Sequence, residues 1–277
     1  MYVGTILPGE NSIIRDVSIN FNKKFDFCEK KIDVFSKKLD DRYPIINNKI
    51  IYKNYNIEFQ TLIRPSFNFK GAKVNKKIKN ITNNIKDKIL IIGAGSGIGR
   101  ELLDIFKLNN KLKIIATYHK NKILIKNTNI KIIKLDIEKS INKVKKIINN
   151  FNNITVYYFA TPKINLDIKD KEYSNQYKRF YIKYPLEILS SFKGQNIKFF
   201  YPSTVYIDKI KSTYAEIKKN AELKLKKLNK KNITVNLLRI DEVNTKQNIS
   251  LLNKNLPSFT QLVNKNKQYQ NKIFFIK

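Results

Sequence analysis

Apolar and polar residues alternate with a period of two over 12–21 (SIIRDVSINF), 50–55 and 55–63, the rhythm of half-buried strands, with turns expected at Pro8-Gly9 and Asp40-Asp41. Residues 1–70 therefore read as a small β-rich segment. The stretch 71–87 is rich in Lys and Asn, shows little apolar periodicity, and is expected to be a linker. From residue 88 the pattern changes. Short apolar runs at 89–92, 113–117, 130–135, 154–159, 197–201, 233–239 and 273–276 are separated by helix-compatible segments. That alternation predicts repeated βαβ units and an α/β fold, a Rossmann-like doubly wound parallel sheet over 88–277.

The composition, with 42% hydrophobic residues in 277, is that of a globular chain with ample material for a core. No run approaches the ~20 apolar residues that cross a bilayer, and the first residues lack the character of a signal peptide, so no membrane span and a cytoplasmic location are expected. One cysteine, Cys28, excludes an internal disulfide, and one histidine, His119, excludes a Cys/His zinc site, so no metal is expected. The formal net charge of +33 would ordinarily point to polyanion binding. Here the charge is nearly all lysine, spread through every segment beside abundant Asn and Ile. That is the signature of AT-rich coding drift, not of a basic arm, and no specific nucleic-acid partner is expected.

Residues 88–92 run into Gly93-Ala94-Gly95-Ser96-Gly97-Ile98-Gly99 and then into a helix-like segment. Glycines let a backbone turn tightly and approach a pyrophosphate, whose charge is met by the amides of the helix N-terminus. The strand before and the helix after give the motif its required context. The second strand ends in Ala116-Thr117-Tyr118-His119-Lys120 with no acidic side chain to meet the adenosine ribose. Lys120, with Arg100 as a possible helper, could neutralise a 2′-phosphate instead, which favours NADP(H) and leaves NAD(H) as the second option. Asp136, after the third strand, is placed either to accept a hydrogen bond from the adenine amino group or simply to cap a helix.

The run 197–201 ends in Pro202-Ser203-Thr204, and eleven residues after Ser203 comes Tyr214-Ala215-Glu216-Ile217-Lys218. Positions four apart share a helix face, so the Tyr214 hydroxyl and the Lys218 ammonium can converge. A phenol titrates near ~10 and a neighbouring ammonium lowers that value, bringing Tyr214 toward a working range for proton transfer. Lys218 would also hold the nicotinamide ribose, and Ser203 would donate to a substrate carbonyl. A Tyr-x-x-x-Lys arises readily by chance in a chain this rich in both; its place after the fifth strand is what gives it weight.

Together Gly93-x-x-x-Gly97-Ile98-Gly99, Asp136, Ser203 and Tyr214-x-x-x-Lys218 resemble the short-chain dehydrogenase/reductase family over about 88–277. The resemblance implies a Rossmann fold, a nicotinamide cofactor, a homo-oligomer, and cofactor contacts from Gly93, Gly95, Ser96, Gly97, Ile98, Gly99, Lys120, Asp136, Ala160 and Thr245. Several positions depart from the pattern. Tyr158-Phe159-Ala160-Thr161 stands where the family commonly has Asn-Asn-Ala-Gly, Asp241-Glu242 replaces Pro-Gly, and the catalytic asparagine has no clear counterpart, Gln176 or Tyr181 lying in that region.

Residues 3–12 and 17–21 are similar to the second half of MaoC-like hot-dog dehydratases, making 1–70 a partial hot-dog segment. The family's acid-base half is absent, so no hydratase activity follows. The implied function is an NADP(H)-dependent oxidoreductase reducing a carbonyl of a small molecule or a 3-oxoacyl thioester. The alternatives are a nucleotide-sugar or polyketide-type modifying reductase, since Tyr201-Pro202-Ser203-Thr204-Val205-Tyr206 is similar to the extended branch of the family, and a catalytically weak dinucleotide-binding protein.

Overall fold

The computed structural model describes residues 12–21, 32–40, 43–52, 55–63, 72–162, 171–192, 194–245 and 256–276. These fall into two compact units, one built by the strands of 12–63 and the other from residue 72 onward.

The first unit is a four-stranded antiparallel sheet in the order β1-β4-β3-β2, with β1 at Ser12–Phe21, β2 at Asp33–Asp40, β3 at Tyr43–Tyr52 and β4 at Tyr55–Ile63. Strands β1 and β4 coincide with the alternating runs in the sequence. β2 has no such signal, because Phe-Ser-Lys-Lys offers little apolar alternation, and the run at 50–55 proves to be the end of one strand and the start of the next. Phe59 and Thr61 on the central β4 are buried, and Asn48 of β3 donates to the Thr61 hydroxyl (2.8 Å) while accepting from Ser36 of β2 (2.7 Å). The expected turn at Pro8-Gly9 lies outside the described residues, as does Asp41. The expectation of a partial hot-dog segment finds no support: its described part is strands alone, and residues 3–11, which carry much of the likeness, also lie outside.

In the second unit six parallel strands among the described residues form a sheet in the order β10-β9-β8-β5-β6-β7. They are β5 (Lys88–Ile92), β6 (Ile114–Tyr118), β7 (Ile130–Lys134), β8 (Asn153–Tyr158), β9 (Asn196–Thr204) and β10 (Ile233–Ile240). Their near-continuous Ile, Val, Tyr and Phe follow from burial on both faces. One face is covered by α1 (Lys76–Asn83), α2 (Gly97–Phe106), α8 (Phe259–Lys265) and α9 (Lys267–Phe274). The other is covered by α3 (Ile137–Asn149), α4 (Lys171–Lys178), α5 (Tyr184–Ser190) and α7 (Thr213–Lys226). A four-residue turn of helix, α6 (Tyr206–Lys209), precedes α7. The order is that of a doubly wound sheet with its switch point between β5 and β8.

Two expectations fail here. Residues 76–83, expected as linker, form α1, capped by the Asn75 side chain and buried through Ile78 and Thr82. Val74, Ile78, Ile81 and Ile85 all pack on the core at helical spacing, a stripe diluted in the sequence by Lys and Asn between them. The apolar run at 273–276 is not a strand. It ends α9, placing Ile273 and Phe274 in the core, with Phe275 in the left-handed region (φ 54°) closing the helix. A short apolar run fits a buried strand and a buried helix end equally well.

Candidate active site

The turn after β5 needs its glycines. Gly93 has φ +89°, and a Cβ there would lie 2.9 Å from the Ala160 nitrogen, so the loop after β8 lies directly against the turn. Gly97 has φ +58°, and Thr245 lies over it, its Cγ2 3.7 Å from where a Cβ would stand. A Cβ on Gly95 would meet the Asn121 carbonyl at 2.6 Å, which brings the loop carrying His119 and Lys120 onto the turn. Ala94 donates to the Thr117 carbonyl (2.7 Å) and Gly93 to the Thr117 hydroxyl (3.2 Å), fixing the turn to β6. Ser96 is the N-cap of α2 in extended conformation, and no side chain caps the first turn of that helix, where Gly97, Ile98 and Gly99 stand. Glycines packed this tightly against the chain's own backbone let the turn run close in beside an uncapped helix N-terminus, an arrangement that fits a dinucleotide pyrophosphate.

Lys120 is exposed at the end of β6, and among the described residues no carboxylate lies within ion-pair distance of it. Arg100, considered as its helper, is instead paired with Asp104 one turn along α2 (3.2 Å). Asp136 caps α3 by accepting from the Glu138 amide (3.1 Å), with His119 Nε2 3.7 Å from its other oxygen.

Strand β9 and helix α7 carry the remaining candidates. Ser212 caps α7, accepting from the Ala215 amide (3.2 Å), and so sets Tyr214 in its first turn and Lys218 one turn on. Tyr214 is 7% exposed, its ring edge-on to Tyr177 (5.9 Å) and Tyr181 (5.5 Å). Burial pushes its hydroxyl above the usual phenol range, and the Thr204 hydroxyl beside it works in the opposite direction.

Lys218 does not aim at that phenol. Its Nζ donates to the Pro202 carbonyl (2.7 Å) and sits over the rings of Tyr181 (4.1 Å) and Tyr201 (4.5 Å). Burial lowers its ammonium from 10.5 to about 7, against the pull of Glu222 one turn further along. The expected lowering of the Tyr214 phenol by a neighbouring ammonium is therefore not realised here.

Ser203 also departs from expectation. It continues the side of β9 that carries Phe199 and Tyr201 under α7. Its buried hydroxyl faces Glu222 without completing a well-formed hydrogen bond. Burial alone would raise the Glu222 carboxyl, but the forked bond from Arg239 (3.0 and 2.9 Å), helped by Ser203 nearby, holds it below the usual carboxylate range. Thr204, the last residue of β9, is the hydroxyl near Tyr214, a position that the Ser203 spacing does not single out. Of the two residues proposed for the missing asparagine, Tyr181 reaches the site, its ring against Tyr214 and its hydroxyl 2.5 Å from the Thr161 Oγ1.

No family model and no curated protein matches the sequence. By structure, the chain is similar to a short-chain dehydrogenase from Burkholderia cenocepacia J2315 in complex with NADP, at 11% identity, 68% of this chain and 98% of that one, with a TM-score of 0.50. It is also similar to an NADP complex from Shigella flexneri 2a str. 301 (13% identity, 69% and 93% covered, TM-score 0.54). A short-chain dehydrogenase from Salmonella enterica serovar Typhi CT18 is a third (12% identity, 66% and 89% covered, TM-score 0.53). At such identities the likeness is one of architecture, and it establishes that the unit from residue 72 onward has the Rossmann-like α/β fold found in short-chain dehydrogenases.

Proposed function

We propose that the α/β unit is an NADP(H)-dependent oxidoreductase that reduces a carbonyl group, with Tyr214 as proton donor. The observation that carries this reading is Tyr214 in the first turn of α7, its ring against Tyr181 and its hydroxyl near Thr204, at the C-terminal end of β9. All strands of the sheet are parallel, so that end lies on the same edge as the glycine turn after β5, where doubly wound folds bind their ligands. The NADP present in the similar Burkholderia and Shigella structures supports the choice of cofactor.

Gly93, Gly95, Ser96, Gly97, Ile98 and Gly99 would cradle the pyrophosphate, with Ala160 and Thr245 beside it. Lys120 would meet the 2′-phosphate without Arg100. Asp136 keeps carboxylate lone pairs beyond its capping bond, and one can accept from the adenine amino group. A bound nicotinamide supplies hydride to the carbonyl carbon. Tyr214, kept neutral by burial, delivers its proton to the carbonyl oxygen, and Thr204 donates a hydrogen bond to the same oxygen as charge develops on it. Lys218 fixes the end of β9 through Pro202, and leaving that carbonyl is what would bring it to a ribose hydroxyl.

The hot-dog likeness that suggested a thioester substrate has no support in the fold. The substrate is a ketone or aldehyde. A second reading, a dinucleotide-binding protein of little activity, is favoured by the depth of Tyr214 and the commitment of Lys218 to Pro202. NADPH oxidation over a panel of carbonyl compounds, with NADPH and NADH titrations in parallel, separates the two. Turnover abolished by Tyr214→Phe is expected; cofactor binding with no turnover on any carbonyl would leave the second reading standing.

A further inference from the structure

The helix that begins with α4 changes its winding over Arg179–Lys183, where the chain forms a π-turn before α5. A π-turn displaces carbonyls from their ordinary i+4 partners, and such turns concentrate at functional sites. Here two strand tyrosines supply hydrogen-bond donors to them. Tyr158 of β8 donates to the Phe180 carbonyl (2.8 Å), and Tyr201 of β9 donates to the Tyr181 carbonyl (3.1 Å). The pinned turn sends the Tyr181 side chain toward α7, where its ring lies 4.1 Å beneath the Lys218 ammonium.

We propose that Tyr181 is a positioning residue for Lys218: its ring and that of Tyr201 form an aromatic box that retains the ammonium against the Pro202 carbonyl, and the tyrosine-pinned π-turn builds that box. The catalytic meaning of the box rests on the reductase reading; its existence does not.

The surroundings of Lys218 leave the rings much to do. From its own helix it faces Glu222, from the π-turn Tyr181, and from β9 Tyr201. Behind Glu222 stand Arg239 of β10 and Asp208 of α6, bonded at 2.6 Å, and Tyr177 of α4 closes on Tyr214. Among the described residues no carboxylate comes within ion-pair distance of Nζ. A 5% exposed ammonium is thus held by one carbonyl and the faces of two rings, whose quadrupoles favour a cation. The Tyr181 hydroxyl, paired with Thr161, anchors the ring to the loop after β8.

The test is an NMR pH titration of the full chain carrying 13Cε-labelled lysine, with the Lys218 signal assigned by its loss in Lys218→Met. Tyr181→Phe keeps the ring face and should leave the Lys218 midpoint in place. Pentafluorophenylalanine at position 181 keeps the shape but reverses the quadrupole, and should lower the midpoint by about one pH unit; the same replacement at position 201 should lower it as well. An unmoved or raised midpoint in both fluorinated proteins overturns the box. If the midpoint falls in a protein that never oxidises NADPH, the box stands and the reductase reading fails. If NADPH is turned over while the midpoint stays fixed, the reductase stands without the box.

Discussion

Gly99 passes so close beneath Gly93 that a Cβ on Gly99 would lie 2.4 Å from the Gly93 carbonyl oxygen and 3.2 Å from the Phe159 Cβ. This contact sets how near α2 comes to the end of β5. In an exposed helix, Gly→Ala gains roughly 1 kcal/mol. Here the clash is with backbone, which cannot swing aside, so the sign reverses. Gly99→Ala should cost roughly 1–3 kcal/mol through overpacking, read as a drop in thermal midpoint of several degrees. It should also weaken NADPH binding at least tenfold by isothermal titration, as the cradle opens. Unchanged affinity would mean that the turn is not where the dinucleotide sits.

Lys218 gives the stability a pH dependence of definite sign. Its ammonium titrates at about 7 in the fold against 10.5 in a free chain. Between those values the unfolded chain binds more protons, so this group makes stability rise with pH across that window and exerts its full penalty below 7. Lys218→Met should therefore stabilise the protein most below pH 7, by at most about 5 kcal/mol, less the cost of the orphaned Pro202 carbonyl. The advantage should vanish toward pH 10. Urea denaturation at pH 6 and pH 9.5 tests it, and an equal effect at the two pH values would show that the lysine is solvated in the folded state.

Glu101 is 1% exposed on α2 and accepts from the Phe259 amide (3.2 Å), the Thr260 amide (2.8 Å) and the Thr260 hydroxyl (2.9 Å). Burial still raises its carboxyl above the usual value, the bonds from Thr260 and Phe259 only partly opposing it. Glu101→Ala strands those donors and should cost roughly 3 kcal/mol, seen in chemical denaturation. The damage should appear in hydrogen exchange as loss of protection in α8 before the sheet is affected.

The glycine turn, the six strands of the α/β unit and the pairing of Tyr214 with Lys218 along one helix were legible in the sequence, because each is written in local spacing. What escaped depends on partners distant in the chain. The π-turn is prepared locally by Pro185, which has no N–H for the Tyr181 carbonyl four residues back, but the hydroxyls that meet the Phe180 and Tyr181 carbonyls arrive from β8 and β9. The choice between Ser203 and Thr204 turns on which residue is the last of its strand, since neighbours on a strand point to opposite faces. Helix α1 was hidden because Lys and Asn fill the positions between Ile78 and Ile81 and around them. The aim of the Lys218 ammonium was set by two rings and a carbonyl that no four-residue spacing encodes.

Tyr158→Phe and Tyr201→Phe remove only the hydroxyls that pin the π-turn. Each leaves one buried carbonyl without its donor, a loss of roughly 1–3 kcal/mol. A change confined to stability would lower the thermal midpoint and nothing more. If the turn positions Tyr181, catalytic turnover should fall several-fold while the NADPH dissociation constant stays within about twofold, because neither hydroxyl approaches the glycine turn.

Ser203 and Thr204 make different demands on the chemistry, and exchanging their roles gives a direct test of the site. Thr204 stands near the Tyr214 phenol, whereas the Ser203 hydroxyl is buried against Glu222 without a well-formed hydrogen bond. A hydroxyl that stabilises the developing oxyanion is worth about 100-fold in turnover by analogy with other single-donor deletions. Thr204→Ala should therefore lower kcat about that much, Thr204→Ser should restore most of it, and Thr204→Val should not. Ser203→Ala removes a buried hydroxyl that helps hold the Glu222 carboxyl low and should cost at most about 1 kcal/mol of stability, with kcat changed by less than about fivefold. Should Ser203→Ala prove the more damaging of the two, β9 presents its other face to the substrate and the assignment of the oxyanion donor reverses.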